Sequence, residues 1–198
     1  MNNCLECIGV VLAGGRSSRM GRNKAQLKLG EQTMLNHCQQ LLQQCHVSKV
    51  VISGANNGGI ADVVANAGPL AGIYSVIQQY RPSSLLVLPI DMPFIEQHHL
   101  QKLKLKGSLA NKVTRYQHSS LPAYIPVSAP LLDYLERSFA SEQFVQHGKG
   151  PSFKQAFART SVIDLDIDSP QALVNTNTPE QWQQALTQLK QQKMKGRI

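Results

Sequence analysis

Ile8-Gly9-Val10-Val11-Leu12-Ala13-Gly14-Gly15-Arg16-Ser17-Ser18-Arg19-Met20-Gly21-Arg22-Asn23-Lys24 decides the fold. The apolar run from Ile8 to Leu12 reads as a buried strand that delivers the backbone to one edge of a sheet. Adjacent glycines then let amide N–H groups approach a ligand, and Arg16, Arg19, Arg22 and Lys24 surround that point with cations. Strand, glycines and cations in this order define a polyphosphate site. No Lys-Ser or Lys-Thr pair follows Gly21, and the glycine spacing is not of the dinucleotide type, so the loop is neither a Walker loop nor a nicotinamide fingerprint. Taken alone, it also fits a glycine turn followed by a solvated basic face.

Outward from the loop, Leu27 and Leu29 continue a covering segment and Gly30 turns the chain. Leu35, Cys38, Leu41, Leu42 and Cys45 then share one helical stripe. Lys49–Ser53 is a short β-branched strand, which completes a parallel βαβ unit. Asn56-Asn57-Gly58-Gly59 ends it in a loop. Gly68-Pro69-Leu70-Ala71-Gly72 precedes Ile73, Ile77 and Tyr80 at helical spacing, and Leu85-Leu86-Val87-Leu88-Pro89-Ile90 reads as a strand buried on both faces.

Further on, Ile95 to Leu105 reads as a helix, and Val113 to Tyr116 and Ala123 to Val127 as shorter strands. Pro130 to Phe139 reads as another helix. Ser161 to Asp168 alternates as a half-exposed strand does; a calcium loop is excluded because Ser169 and Asn175 stand where glycine and glutamate are needed. Pro179 opens a last amphipathic helix through Trp182, Ala185, Leu186 and Leu189.

The pattern predicts an α/β fold: a single Rossmann-like, three-layer domain with a mostly parallel mixed sheet, spanning residues 1–198 with 1–7 and 191–198 as frayed ends. A chain of 198 residues with 42% hydrophobic content can bury a proper core. Twenty Lys and Arg against 12 Asp and Glu give a net charge of +8, which favours an acidic partner without naming it. The basic residues gather at the loop and tail without interleaved aromatics, so no specific nucleic-acid partner is expected.

No apolar run spans a bilayer and no signal segment opens the chain, so a cytoplasmic protein without a membrane partner is expected. Cys4-Leu5-Glu6-Cys7 has metal-knuckle spacing, but Cys38 and Cys45 form no second knuckle, and all four cysteines read as free thiols. His98-His99 lacks a partner at metal spacing and reads as part of a helix face.

Asp91 follows the Leu85 to Ile90 strand at its carboxyl end, where ligands of open α/β sheets bind. A carboxylate there is placed to hold Mg²⁺ against phosphates. It also suits an N-cap for the helix near Ile95.

The chain resembles the nucleotidyltransferases, and among them the molybdenum cofactor guanylyltransferases. The likeness runs through Leu12 to Gly21, Lys24, Gly68-Pro69-Leu70-Ala71-Gly72, Pro89-Ile90-Asp91-Met92-Pro93 and Asn175-Thr176-Asn177-Thr178-Pro179-Glu180. The resemblance implies transfer of GMP from GTP to Mo-molybdopterin, with Mg²⁺ as cofactor, release of pyrophosphate, and a molybdoenzyme or cofactor-delivery protein as recipient. It implies nucleotide contacts at Leu12, Ala13, Gly14, Gly15, Lys24, Asn56, Asp62 and Asp91. By the same resemblance Lys24, Asp91 and Arg19 form the catalytic group, Asp91 holds the metal, and Asn175 and Asn177 lie on the pterin side.

Three features depart from the family pattern. Asn23 stands where an aspartate commonly precedes the lysine, Gly54 falls about where a pocket asparagine is expected, and the stretch from Asn56 to Gly68 is short. A cytidylyl- or sugar-nucleotidyltransferase using the same phosphate site, and a non-catalytic nucleotide or pterin carrier, are the alternatives.

The chemistry also stands on physical grounds. A phosphate monoester has a second pKa of about 6 and needs no general base near neutrality. The site must supply positioning and neutralisation of anions, so the absence of a His–Ser or Cys–His pair is no objection.

Overall fold

Strand β1 (Cys7–Leu12) alternates its side chains between two cores: Ile8, Val10 and Leu12 face one, Val11 the other. Burial on both faces is what a strand inside a parallel sheet requires, and it explains the unbroken apolar run. The structure is a computed structural model and describes residues 6–14, 23–64, 67–141, 150–194 and 196.

After a 3-10 turn at Lys24–Gln26, a two-residue hairpin of β2 (Lys28–Leu29) and β3 (Gln32–Thr33) leads into α1 (Met34–Gln44). Thr33 caps α1 by accepting a hydrogen bond from the Asn36 amide. The chain continues through β4 (Lys49–Ser53), α2 (Pro69–Tyr80), β5 (Ser84–Pro89), α3 (Gln97–Ala110), β6 (Val113–Tyr116), β7 (Ala123–Pro126), α4 (Ala129–Ala140), α5 (Phe153–Phe157), β8 (Val162–Leu165) and α6 (Pro179–Met194).

The six-stranded sheet has the order β4-β1-β5-β7-β6-β8. β1 pairs in parallel with both β4 and β5, β8 is parallel to β6, and β7 runs antiparallel to both its neighbours. The sheet is therefore mixed but mostly parallel. Helices α2, α4 and α5 pack on one face with Ile8, Val10, Leu85 and Val87. Helices α1, α3 and α6 cover the other face, over Val11, Leu86 and Leu88. That is the expected three-layer arrangement.

Several boundaries differ from the sequence reading. Cys7, placed in a frayed end, opens β1, because its strand is held between two parallel neighbours. At the other terminus α6 runs through Met194, into the tail expected to fray. The helix expected from Ile95 starts at Gln97 and continues to Ala110, since Ile95 is buried in the loop before it and Glu96 is its N-cap. The β2–β3 hairpin and the short helix α5 have no counterpart in the sequence reading. Among the described residues no helix is long and apolar enough to cross a membrane.

Candidate active site

The chain leaves β1 to form β4 on one side and crosses back to form β5 on the other. At that switch point the carboxyl ends of β1 and β5 open a crevice. A cleft of about 410 Å³ lies there. Leu12, Ala13 and Gly14 form its floor at the end of β1, and Pro89, Ile90, Asp91 and Met92 one side at the end of β5. Pro69 adds the start of α2, Lys24 and Asn175 a third side, and Ser119, Ser120, Leu121 and Phe153 the far wall.

Two residues 67 positions apart meet in this cleft. The Lys24 ammonium donates to Asp91 Oδ2 at 3.1 Å, with both side chains mostly shielded from solvent. It also donates to Asn177 Oδ1 at 2.8 Å. Asp91 does not cap α3, so the capping alternative falls away: Glu96 takes that place, exchanging hydrogen bonds with His99. The Asp91 carbonyl is held instead by Thr176, through its amide at 2.8 Å and its hydroxyl at 3.2 Å. Buried Thr176 thus clamps the C-terminal segment onto the end of β5 and leaves Asn175 and Asn177 exposed on either side.

On the other side of the β1 loop, Asp62 Oδ1 accepts from the Ser53 hydroxyl at 3.4 Å. A Cβ built on Gly14 would lie 3.9 Å from Asp62 Oδ2, so this carboxylate borders the loop. Burial pushes the Asp62 carboxyl above its ordinary value, and the Ser53 hydroxyl partly offsets that. Ser75 fixes the segment from the helix side: its hydroxyl accepts from the Val63 amide and donates to the Ala71 carbonyl, each at 2.8 Å. Gly72 is needed because a Cβ there would collide with the Ser53 hydroxyl.

Asn56 is exposed in the loop after β4, while its neighbour Asn57 turns inward and donates to the Ala13 carbonyl at 3.0 Å. The sequence reading missed Asn57 because adjacent asparagines in a turn are indistinguishable without the direction of the backbone. Its pairing with Asn23 at 2.6 Å was equally invisible. Gly15 and Arg19 lie outside the described residues, as do Arg16, Arg22 and Cys4. Cys7, Cys38 and Cys45 are free thiols, and burial raises Cys38 to about 12 and Cys45 to about 11, leaving both inert.

The comparisons with known proteins agree with this geometry. Residues 9–149 match the MobA-like NTP transferase domain. A molybdenum cofactor guanylyltransferase from Xanthomonas euvesicatoria pv. vesicatoria is 34% identical over 177 residues, covering 88% of this chain and 91% of the relative. Among solved structures, the molybdopterin-guanine dinucleotide biosynthesis protein A from Archaeoglobus fulgidus superposes with a TM-score of 0.71 at 21% identity, covering 93% of this chain and 99% of that one. A manganese complex of Rv0371c from Mycobacterium tuberculosis superposes at 0.57 with 18% identity, covering 92% and 98%.

A crevice at the β1–β5 switch point, floored by Leu12, Ala13 and Gly14 and flanked by a lysine and an aspartate, suits a nucleotidyltransferase, the class to which the domain match assigns the chain. Within that class, the chain belongs to the molybdenum cofactor guanylyltransferase family.

Proposed function

We propose that the protein transfers GMP from GTP to Mo-molybdopterin, releasing pyrophosphate and forming the guanine dinucleotide of the cofactor. The observation that carries this reading is the Lys24–Asp91 pair at 3.1 Å beside the β1 loop, which brings an ammonium suited to phosphate and a carboxylate suited to a cation to one cleft. In the reaction an oxygen of the acceptor's terminal phosphate attacks the α-phosphorus of GTP. A new P–O bond forms, the bond from the α-phosphorus to the bridging oxygen breaks, and pyrophosphate leaves with the electron pair. The attacking monoester is already largely dianionic near neutrality, so the residues position and neutralise rather than abstract a proton.

In this reading the backbone at Leu12, Ala13 and Gly14 lies along the nucleotide, and Gly15 and Arg19 are further contacts that the family resemblance implies. Lys24 exchanges Asp91 for the phosphates once they arrive. Asp62 is a carboxylate suited to accept from guanine N1–H and the exocyclic amine, which supports GTP over other nucleotides. Asn175, which lines the cleft with Ser119, Ser120 and Phe153, is assigned in this reading to the pterin side. Asn177 sits on Lys24 and so works at the phosphates as well as at the pterin side.

The donor set fits a hard divalent cation. The Asp91 carboxylate already receives an ammonium in the cleft, and so points where a cation can be held. Among the described residues no group of three or more His, Cys, Asp or Glu forms a closed metal cage. One carboxylate completed by phosphate oxygens is the arrangement Mg²⁺ takes from nucleotide enzymes. Asp91 would hold Mg²⁺, which when bound neutralises charge on the phosphates as a Lewis acid. The same reading places the enzyme in the cytoplasm, handing its product to a molybdoenzyme or a delivery protein.

The test supplies Mg²⁺ and Mo-molybdopterin with GTP, CTP or UTP in turn and assays dinucleotide and pyrophosphate. Only GTP should give product at a substantial rate. Lys24→Ala and Asp91→Asn should each lower turnover by about 10²–10³-fold, the usual effect of removing a group that stabilises transition-state charge. Product from CTP or UTP in preference to GTP would overturn the base assignment. Full turnover by Asp91→Asn would overturn the mechanism.

A further inference from the structure

We propose that Asn23 and Asn57 form an amide relay that positions the Lys24 turn against the floor of the cleft, making both of them positioning residues for nucleotide binding. The inference rests on the reading of the cleft as a nucleotide site. Three hydrogen bonds define the relay. Asn23 Oδ1 accepts from the Ala25 amide at 3.0 Å and so caps the 3-10 turn that carries Lys24. With its oxygen committed there, the Asn23 Nδ2 group faces Asn57 and donates to Asn57 Oδ1 at 2.6 Å. With that oxygen committed in turn, Asn57 Nδ2 donates to the Ala13 carbonyl at 3.0 Å.

Each amide has one accepting and one donating end, so each contact fixes the orientation required by the next. The far end of the relay is anchored, because the Ala13 amide donates to the Ser53 carbonyl at 2.9 Å. Asn57 is anchored as well, through its own amide to the Gly54 carbonyl at 3.1 Å. Lys24 therefore starts from a turn tied, through two side chains, to the loop that lies along the phosphates. Its Nζ has two further partners across the cleft, Asp91 and Asn177, so small displacements of the turn move the ammonium relative to both.

Aspartate at position 23 separates the relay from the cap. A carboxylate accepts from the Ala25 amide as well as an amide oxygen does, but it has no N–H for Asn57 Oδ1 and sets two like partial charges face to face. Asn57 can then reach the substituted carboxylate only by turning its donor end away from Ala13. The variant Asn23→Asp thus keeps the turn and removes the tie.

The experiment measures GTP·Mg²⁺ affinity by calorimetry, without acceptor, for wild type, Asn23→Asp, Lys24→Met and the double variant. Asn23→Asp is expected to weaken binding about tenfold, the worth of one hydrogen bond, in the presence of Lys24 and to have no further effect in Lys24→Met. Its KM for the acceptor should stay at the wild-type value. Wild-type affinity, an equal loss in both backgrounds, or a matching rise in acceptor KM would overturn the relay. Exchange of the Asn57 side-chain amide protons, read by NMR without nucleotide, should be slow in wild type and accelerate in Asn23→Asp; unchanged exchange would overturn the relay whatever the ligand. If wild type bound none of GTP, CTP and UTP, the nucleotide reading of the cleft would fail by itself, and the exchange measurement would still decide the relay.

Discussion

Lys24 and Asp91 both stand out in the sequence, but for separate reasons: one as a cation after a glycine loop, the other as an acid ending an apolar run. Their meeting at 3.1 Å is what turns two motifs into a site. Asn57 was not legible, because its value lies in the Ala13 carbonyl that it meets after a turn of the chain. Asp62 was located only through resemblance, and the structure supplies its physical character: a half-buried carboxylate between Ser53 and Gly14, with its pKa raised by burial. A raised value in the folded state means that ionised Asp62 costs stability, a cost absent at acid pH and incurred as pH rises past the ordinary 3.8 through the raised value. Asp62→Asn should therefore stabilise the ligand-free protein slightly at neutral pH. The same variant should weaken GTP binding, since an amide offers guanine one acceptor instead of two. In wild type, GTP affinity should fall on acidification from a higher pH than an ordinary carboxylate would give, and Asp62→Asn should flatten that limb. Calorimetric titration of both proteins across the acid range checks both statements.

At the level of elements, apolar runs and one alternating stretch pointed to every strand of the main sheet, whereas the β2–β3 hairpin and α5 went unread, β1 starts earlier at Cys7, and the start of α3 is set by its cap and not by periodicity. α3 is the clearest case. His99 Nδ1 accepts from the Glu96 amide at 3.1 Å, so its proton sits on Nε2, which is buried without a hydrogen-bond partner. Burial, and then His98 stacked beside it, hold its pKa below 6.5 against the opposing pull of Glu96 and Asp168. The unfolded chain takes up a proton near 6.5 that the folded state resists, so stability falls as pH drops through and below that value. His99→Leu gives up the cap but should lose less stability than wild type between about pH 7 and 5, as melting curves across that range would show. The loop after β4 is governed by its backbone. Gly54 has φ of +134°, and a Cβ there would stand 2.8 Å from the Gly14 amide nitrogen and 3.0 Å from the Ala13 carbonyl carbon. Gly54→Ala should cost about 1–3 kcal/mol in urea unfolding and disturb the floor of the cleft as well. The position where the family pattern led us to expect a side chain is thus one where this backbone admits none.

Across the whole molecule, the three-layer architecture was readable because strands buried on both faces and amphipathic helices alternate along the chain. The closing of the site by the C-terminal segment was not, since it depends on contacts between residues as far apart as Lys24 and Asn177, separated by 153 positions. That separation makes the cleft a property of the complete fold: its floor comes from β1, its acid from the end of β5, and its last clamp from Thr176 just before α6. The protein's single tryptophan, Trp182, lies on α6 and is buried against the core shared with α1 and α3. Its fluorescence therefore reports whether α6 stays docked. If the clamp is integral to the fold, Trp182 fluorescence and far-UV circular dichroism should give one unfolding midpoint, and saturating GTP·Mg²⁺ should raise both equally, by about 2.7 kcal/mol at one hundred times Kd. A Trp182 transition at lower denaturant, unmoved by nucleotide, would mean that α6 peels away while the β1–β5 crevice still binds. Coincident transitions that shift together would mean that no part of the cleft survives the loss of another.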